Sequence, residues 1–307
     1  MAEPEKPPFV VVAGTAKAEK PFATLGEAVA AAASGDAIEI RGNGPFVVQP
    51  IDLKEKALTL RAGSGFSPVL KLAPEAVQKD LPLLTTRAAL VLEGLEFHRD
   101  GDGKPGAVSL KFIDSQRAPV AVANCRFVLR TKADPLIHAV AAEGASSVQI
   151  RNCLFLGNWH AGAALNWAPP GGRMVVANNL FVSRHSAVHV SFPDDEPFVS
   201  PAVVQLSNNT MVVNAAVNAQ ATLPAGPAQA QPNPKVRIEV VQNSCTAGLV
   251  GFVYFVPSKE DSDYLEREHR TLTRRFFALE DRGNQIAAGV RFAGFSYRLS
   301  GISYHEL

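Results

Sequence analysis

Apolar and polar positions alternate along this chain in short bursts, and the bursts repeat. Val120-Ala-Val-Ala-Asn-Cys-Arg-Phe127 is followed by Val148-Gln-Ile-Arg-Asn-Cys-Leu-Phe155, Met174-Val-Val-Ala-Asn-Asn-Leu-Phe181 and Val204-Gln-Leu-Ser-Asn-Asn-Thr-Met211. Ile238-Glu-Val-Val-Gln-Asn-Ser-Cys245 is a weaker copy and Ala89-Leu-Val-Leu-Glu-Gly-Leu-Glu-Phe97 an earlier one. One aligned position runs Leu95, Cys125, Cys153, Asn179, Asn209 and Asn243, with spacings of 30, 28, 26, 30 and 34 residues. A variable period near 30 suits a coil with fixed strands and turns of changing length. It does not suit helical-hairpin repeats, because each unit alternates with period two and carries β-branched residues.

Each unit therefore predicts two inward residues, a tight bend at the Asn pair, and one further large inward residue. That last position reads Phe97, Phe127, Phe155, Phe181, Met211 and Cys245. Stacked coils bring such residues into columns about 4.8 Å apart. Asn accepts the left-handed backbone that the bend requires, and an inward Asn can bond to its copies above and below. Cys125 and Cys153 fall on that inward position and read as small buried thiols in neighbouring coils rather than a redox pair.

The flanks read differently. Phe9-Val-Val-Val-Ala predicts a strand. Thr24-Leu-Gly-Glu27 has capping-box spacing, and Leu25, Ala28, Val29 and Ala32 follow at helical intervals. Ser34-Gly-Asp36 ends that helix, and Ala37-Ile-Glu-Ile40 alternates as a strand. The short helix suits a cap over the open end of a sheet stack. Residues 258–282, with Tyr264, Leu265, Leu272, Phe276 and Phe277, predict an amphipathic helix, and residues 285–304 more strand. Proline-rich stretches at 192–202 and 223–235 predict long turns leaving the coil. The expected organisation is a leader with first strand over 1–20, a coil with its cap over 21–257, and a helix with closing strands over 258–307.

Composition narrows the field. Apolar residues make up 47 % of 307 and charged residues 19 %, which supports a large core. Thirty basic residues against 29 acidic give a net charge of +1, so nucleic acid is not an expected partner. No apolar run reaches the roughly 18–20 residues of a membrane span. Met1-Ala-Glu-Pro-Glu-Lys-Pro-Pro is not a secretory signal, so the expected setting is the cytoplasm or a larger exported protein. Three cysteines cannot build a disulfide framework, and no cofactor motif stands out.

The repeat resembles the single-stranded right-handed parallel β-helix of the pectate-lyase-like superfamily. Phe22-Ala-Thr-Leu-Gly-Glu-Ala-Val and Gly35-Asp-Ala-Ile-Glu-Ile40 look like that superfamily's helical cap and first strand. The resemblance covers roughly residues 9–255. It implies an all-β coil with an N-terminal capping helix, here followed by the C-terminal amphipathic helix. It leaves the chemistry open, because the superfamily holds lyases, hydrolases, esterases, epimerases, adhesins and non-catalytic binders. Similar regions also occur attached to other modules in large bacterial proteins, including serine/threonine kinases, so other domains of a longer chain are expected partners.

In the superfamily's enzymes, sugar chains lie along the first sheet. The corresponding segments here are 107–112, 137–142, 162–167, 187–192 and 217–222, and none contains Asp or Glu. Glycoside hydrolysis needs two carboxyl groups, and a calcium-dependent lyase needs several oxygen ligands. Asp194-Asp195 reads as a solvated turn, and Asp100-Gly-Asp-Gly103 lacks the later ligands of a calcium loop. His98-Arg99-Asp100 has no accompanying kinase motif and is a coincidence.

What the groove offers is polar and aromatic: Arg130, Asn158, Trp159, His160, Trp167, Arg184 and His189 are the candidate ligand-binding residues. A polysaccharide is the expected partner. Arg184 with His185 or His189 could run a metal-independent lyase step, with the histidine as base and arginine facing the developing charge. Zinc at His160, His185 and His189 has no spacing to support it. A non-catalytic glycan-binding coil is the leading expectation, a lyase or hydrolase the first alternative, and a structural or display segment the second.

Overall fold

The computed structural model describes residues 6–13, 19–102, 110–132, 137–192, 200–223, 236–246, 249–257, 277–287, 291–296 and 305–306. It is a parallel β-helix. Every coil contributes one strand to each of three sheets, which hold 11, 9 and 10 strands and are called A, B and C below. One coil is Val120–Ala123 in A, Arg126–Arg130 in B and Ile137–Glu143 in C. The next is Ser147–Arg151, Leu154–Leu156 and Ala161–Asn166, then Arg173–Ala177, Leu180–Val182 and Ser186–Phe192. The expected 30-residue unit is one such coil.

The register keeps like residues in line. Val120 pairs with Val148, Val148 with Met174 and Met174 with Val204. Phe97, Phe127, Phe155 and Phe181 are fully buried and stack at 5.0, 4.9 and 4.7 Å between centroids. Met211 and Cys245 continue the column. Gly162 gives the stack its room: a Cβ there would lie 2.5 Å from the Phe181 ring and 3.1 Å from that of Phe155. Gly162→Ala is expected to cost about 1–3 kcal/mol through overpacking, read as a lower urea midpoint at unchanged slope.

The Asn pair works as the sequence suggests. Asn124, Asn152, Asn178, Asn208 and Gln242 all have φ between 54° and 56°, and Gly94 and Gly283 extend the same left-handed column at the bend between sheets A and B. The second Asn of the pair points inward. Asn179, Asn209 and Asn243 are buried and bonded into a ladder. Asn179 Nδ2 donates to Asn209 Oδ1 at 2.9 Å, Asn209 Nδ2 to Asn243 Oδ1 at 2.9 Å, and Asn243 Nδ2 to Asn284 Oδ1 at 3.0 Å. Toward the N-terminus the ladder ends on Cys153, whose backbone N–H donates to Asn179 Oδ1. Cys125 and Cys153 are free buried thiols, as expected.

The helix Leu25–Ala31 carries the full capping box: Thr24 Oγ1 accepts from Glu27 N, and Glu27 Oε2 accepts from Thr24 N. Its Leu25, Ala28 and Val29 join the core. Beside it, Phe9–Val12 and Glu19–Phe22 extend the first edge of sheet A as antiparallel strands.

At the other end one expectation is corrected. The amphipathic helix read over 258–282 falls mostly outside the described residues, and its last six, Phe277–Arg282, form a strand parallel to Val236–Val241. Phe277-Ala-Leu-Glu-Asp-Arg alternates, which suits a strand better than a helical face. Gln285–Ile286 and Arg291–Ser296 then continue in sheets B and C, so coiling resumes beyond residue 257.

Candidate functional site

The segments expected to line the groove fall on sheet C, except that 107–109 lie outside the described residues and Trp167 stands just past the end of its strand. Its inward residues, Val140, Ala163, Val188 and Val217, are buried in the core. Register then fixes what the outer face carries. Lys111 pairs with His138, His138 with Ala161 and Ala161 with Ser186. A second outward column is Asp114, Ala141, Ala164, His189 and Asn218. A third is Gln116, Glu143 and Asn166.

This face holds two carboxylates that the segment boundaries had excluded. The strands run to Gln116 and Glu143 rather than stopping at 112 and 142, so Asp114 and Glu143 belong to the groove. Both are claimed by one lysine. Lys111 Nζ lies 2.6 Å from Glu143 Oε2 and 3.1 Å from Asp114 Oδ1, and Gln116 Nε2 donates to Asp114 Oδ2 at 2.9 Å. Burial works against the ammonium, yet Glu143 and Asp114 outweigh it and raise its pKa above the ordinary lysine value.

The candidate residues divide into separate places. Trp159 is fully buried: its Nε1 donates to Leu156 O at 3.0 Å, and its ring lies 5.9 Å from that of Phe112. It is a core residue and offers no surface to a ligand, because the turn before sheet C folds it inward. Arg130 and Arg184 are exposed at the ends of the turn linking sheets B and C, and Asn158 lies half-buried in that turn. Arg130 Nη1 lies 3.5 Å from Asp100, which also pairs with Lys71 at 2.8 Å. His98 and Arg99 are likewise structural, held by Glu96 at 2.6 Å and by Asp80 at 3.1 Å. Asp194-Asp195 lies outside the described residues.

Trp167 lies at the opposite end of its strand from His160, about 20 Å away at strand rise. The indole is 52 % exposed, the most exposed aromatic side chain among the described residues. Its backbone is left-handed, with φ 52°, at the corner where sheet C turns into sheet A. Arg117 and Gly144 hold the same corner in the two preceding coils, with φ of 56° and 62°. A left-handed conformation is unfavourable for a bulky side chain. Here it is held by Trp167 N donating to Ser191 Oγ and Ala168 N donating to Ser191 O. Arg117 packs against Gly144, where a Cβ would lie 3.4 Å from Arg117 Cγ, and Glu143 and Asn166 stand in register at the neighbouring strand ends of sheet C.

The histidines gather elsewhere on sheet C. His138 and His189 are buried with their ring centroids 5.2 Å apart, and His160 lies 5.3 Å from His138. Burial, with the other histidines adding to it, drives both His138 and His189 below the ordinary imidazole range, His189 to about 3. Among the described residues no three His, Cys, Asp or Glu side chains are disposed to hold a metal ion. None of the described helices is long and apolar enough to cross a membrane.

Comparison with known families, characterised proteins and solved structures gives no match. The fold is a parallel β-helix on its own geometry.

Proposed function

We propose that this β-helix is a non-catalytic module of the pectate-lyase-like kind that binds a glycan at the edge of sheet C, with the corner at Trp167 as its anchor. The observation that carries the reading is the exposed indole of Trp167, held on a left-handed backbone at the corner between sheets C and A. An exposed, rigid aromatic face suits the apolar face of a sugar ring. Glu143, Asn166 and Arg117 stand next to it with the acceptors, donors and positive charge that hydroxyls or a uronate carboxylate use. The non-catalytic part rests on Lys111, which holds both Asp114 and Glu143 and leaves neither as an unengaged acid or base. Of the two histidines that a lyase step could pair with the exposed Arg184, His185 is half-buried beside it and His189 is buried. In this reading the module serves as one region of a longer chain.

The protein's two tryptophans make the test direct, since Trp159 is buried and Trp167 exposed. Titration with acidic and neutral polysaccharides is expected to change the fluorescence of Trp167 and to protect it from iodide quenching. Trp167→Ala is expected to weaken binding about tenfold or more while leaving the thermal midpoint nearly unchanged. Unchanged affinity in Trp167→Ala, or ultraviolet-absorbing unsaturated products in the same assay, would refute the proposal.

A further inference from the structure

Four histidines from three successive coils meet on sheet C. His138 lies on one strand, His160 immediately before the next, His185 immediately before the third and His189 in the middle of that third strand. Ring centroids are 5.3 Å apart for His138–His160, 5.2 Å for His138–His189 and 5.4 Å for His160–His185. The first two pairs are nearly parallel, at 20° and 29°. On the strand between them the residues in register are Ala161 and Ala164, so the imidazoles close over methyl groups.

Two of the four are deeply buried, His138 at 2 % exposure and His189 at 6 %. Among the described residues, neither ring nitrogen of His138 has a hydrogen-bond partner, nor does Nδ1 of His189, nor the neighbouring Asn218 Oδ1. Buried polar atoms without partners are rare and costly. These rings are stacked as though they were apolar, which only a neutral imidazole tolerates. The charged groups around them are Lys111 with its partners Asp114 and Glu143 on one side, and Arg184 in the turn beside His185. Burial disfavours charge on His138 most, and His189, His160 and Lys111 add to that.

We infer that this cluster is a proton-operated latch, closing the outer face of sheet C while its rings are neutral and opening that face when they take up protons. A cation on His138 would have no hydrogen-bond partner among the described residues, and one on either His138 or His189 would stand 5–6 Å from further imidazoles. It gains its solvation only if the rings leave the face. The core column of Val140, Ala163 and Val188 beneath is unaffected, so the first response is a local opening rather than loss of the coil.

The sign follows from linkage. In the unfolded or opened chain His138 and His189 titrate near 6.5, whereas closed they bind no proton until well below that. The closed state is therefore favoured above about pH 6.5 and weakens as pH falls. The closed-to-open ratio drops about tenfold per pH unit for each histidine, or about a hundredfold for the pair.

The test is backbone hydrogen exchange over residues 137–143, 161–166 and 186–192 between pH 7 and 4, corrected for intrinsic rates, on the full chain. The expected result is accelerating exchange in these strands below pH 6.5, while the sheet A strands 148–150 and 174–176 stay protected. The double variant His138→Phe/His189→Phe keeps the stacked rings and cannot titrate, and its exchange is expected to be flat over the same range. Equal acceleration in that variant, or flat exchange in the natural chain, would overturn the latch. If the variant does not fold, ring resonances of the natural chain decide. His138 and His189 silent above pH 5 support the latch, and either of them titrating near 6.5 refutes it.

Discussion

Asn209→Ala is expected to lower the free energy of unfolding by about 4 kcal/mol or more, because one side chain satisfies four groups. Its Oδ1 accepts from Asn179 N and Asn179 Nδ2, both at 2.9 Å, and its Nδ2 donates to Val176 O and Asn243 Oδ1, also at 2.9 Å. All of this lies at 1 % exposure. Alanine would strand those partners away from water, and each orphaned buried group costs about 1–3 kcal/mol. Linked amides also polarise one another, so the loss is not confined to one coil. The adjacent Asn208 is the control. It is exposed and has φ 54°, so Asn208→Gly keeps the bend and is expected to change stability by less than about 1 kcal/mol. Urea unfolding of the two variants measures the contrast, and a similar small effect for both would remove the ladder from the account of stability.

Phe155→Ala is expected to cost about 3–5 kcal/mol. Phe155 is fully buried between Phe127 and Phe181, with both neighbouring rings within 5 Å. Truncation opens a ring-sized void that strand positions cannot close, because each strand is held on both sides by parallel neighbours. Phe155→Leu keeps most of the volume and is expected to cost well under half as much. Calorimetric melting of the pair checks this. Near-equal midpoints would mean that the column relaxes around the void.

These two columns were the most legible parts of the sequence. Period-two alternation and the Asn pair both report on backbone geometry that each coil must satisfy, so they recur and can be aligned. Asn284 was missed because it stands 41 residues after Asn243, beyond the range of spacings set by the earlier copies. The strand at Phe277–Arg282 was read as helix because its charges sit close together, although its apolar residues alternate. The site was less legible for a related reason. Outer-face residues carry no repeat, so Asp114 and Glu143 fall two residues and one residue past the boundaries expected for their segments. Trp159 and Trp167 look alike in sequence, yet one turn folds inward and the other outward. Only the left-handed corner distinguishes them, and nothing in the residues around Trp167 announces it. The histidines enter the sequence reading as ligand, catalytic and zinc candidates, and His138 joins His160, His185 and His189 only through the register of three coils.

The ladder of inward asparagines has a consequence for how such a chain can change length. Asn179 meets Asn209 in the same way that Asn209 meets Asn243, through one amide–amide bond and one backbone N–H. The contacts are the same from one rung to the next, and each coil touches only its neighbours. Duplication of one whole unit between Asn179 and Asn209 would therefore present matching partners above and below. It would lengthen the molecule by about 4.8 Å without disturbing either end. Growth by whole rungs is permitted by the same bonds that make the loss of a single one so costly.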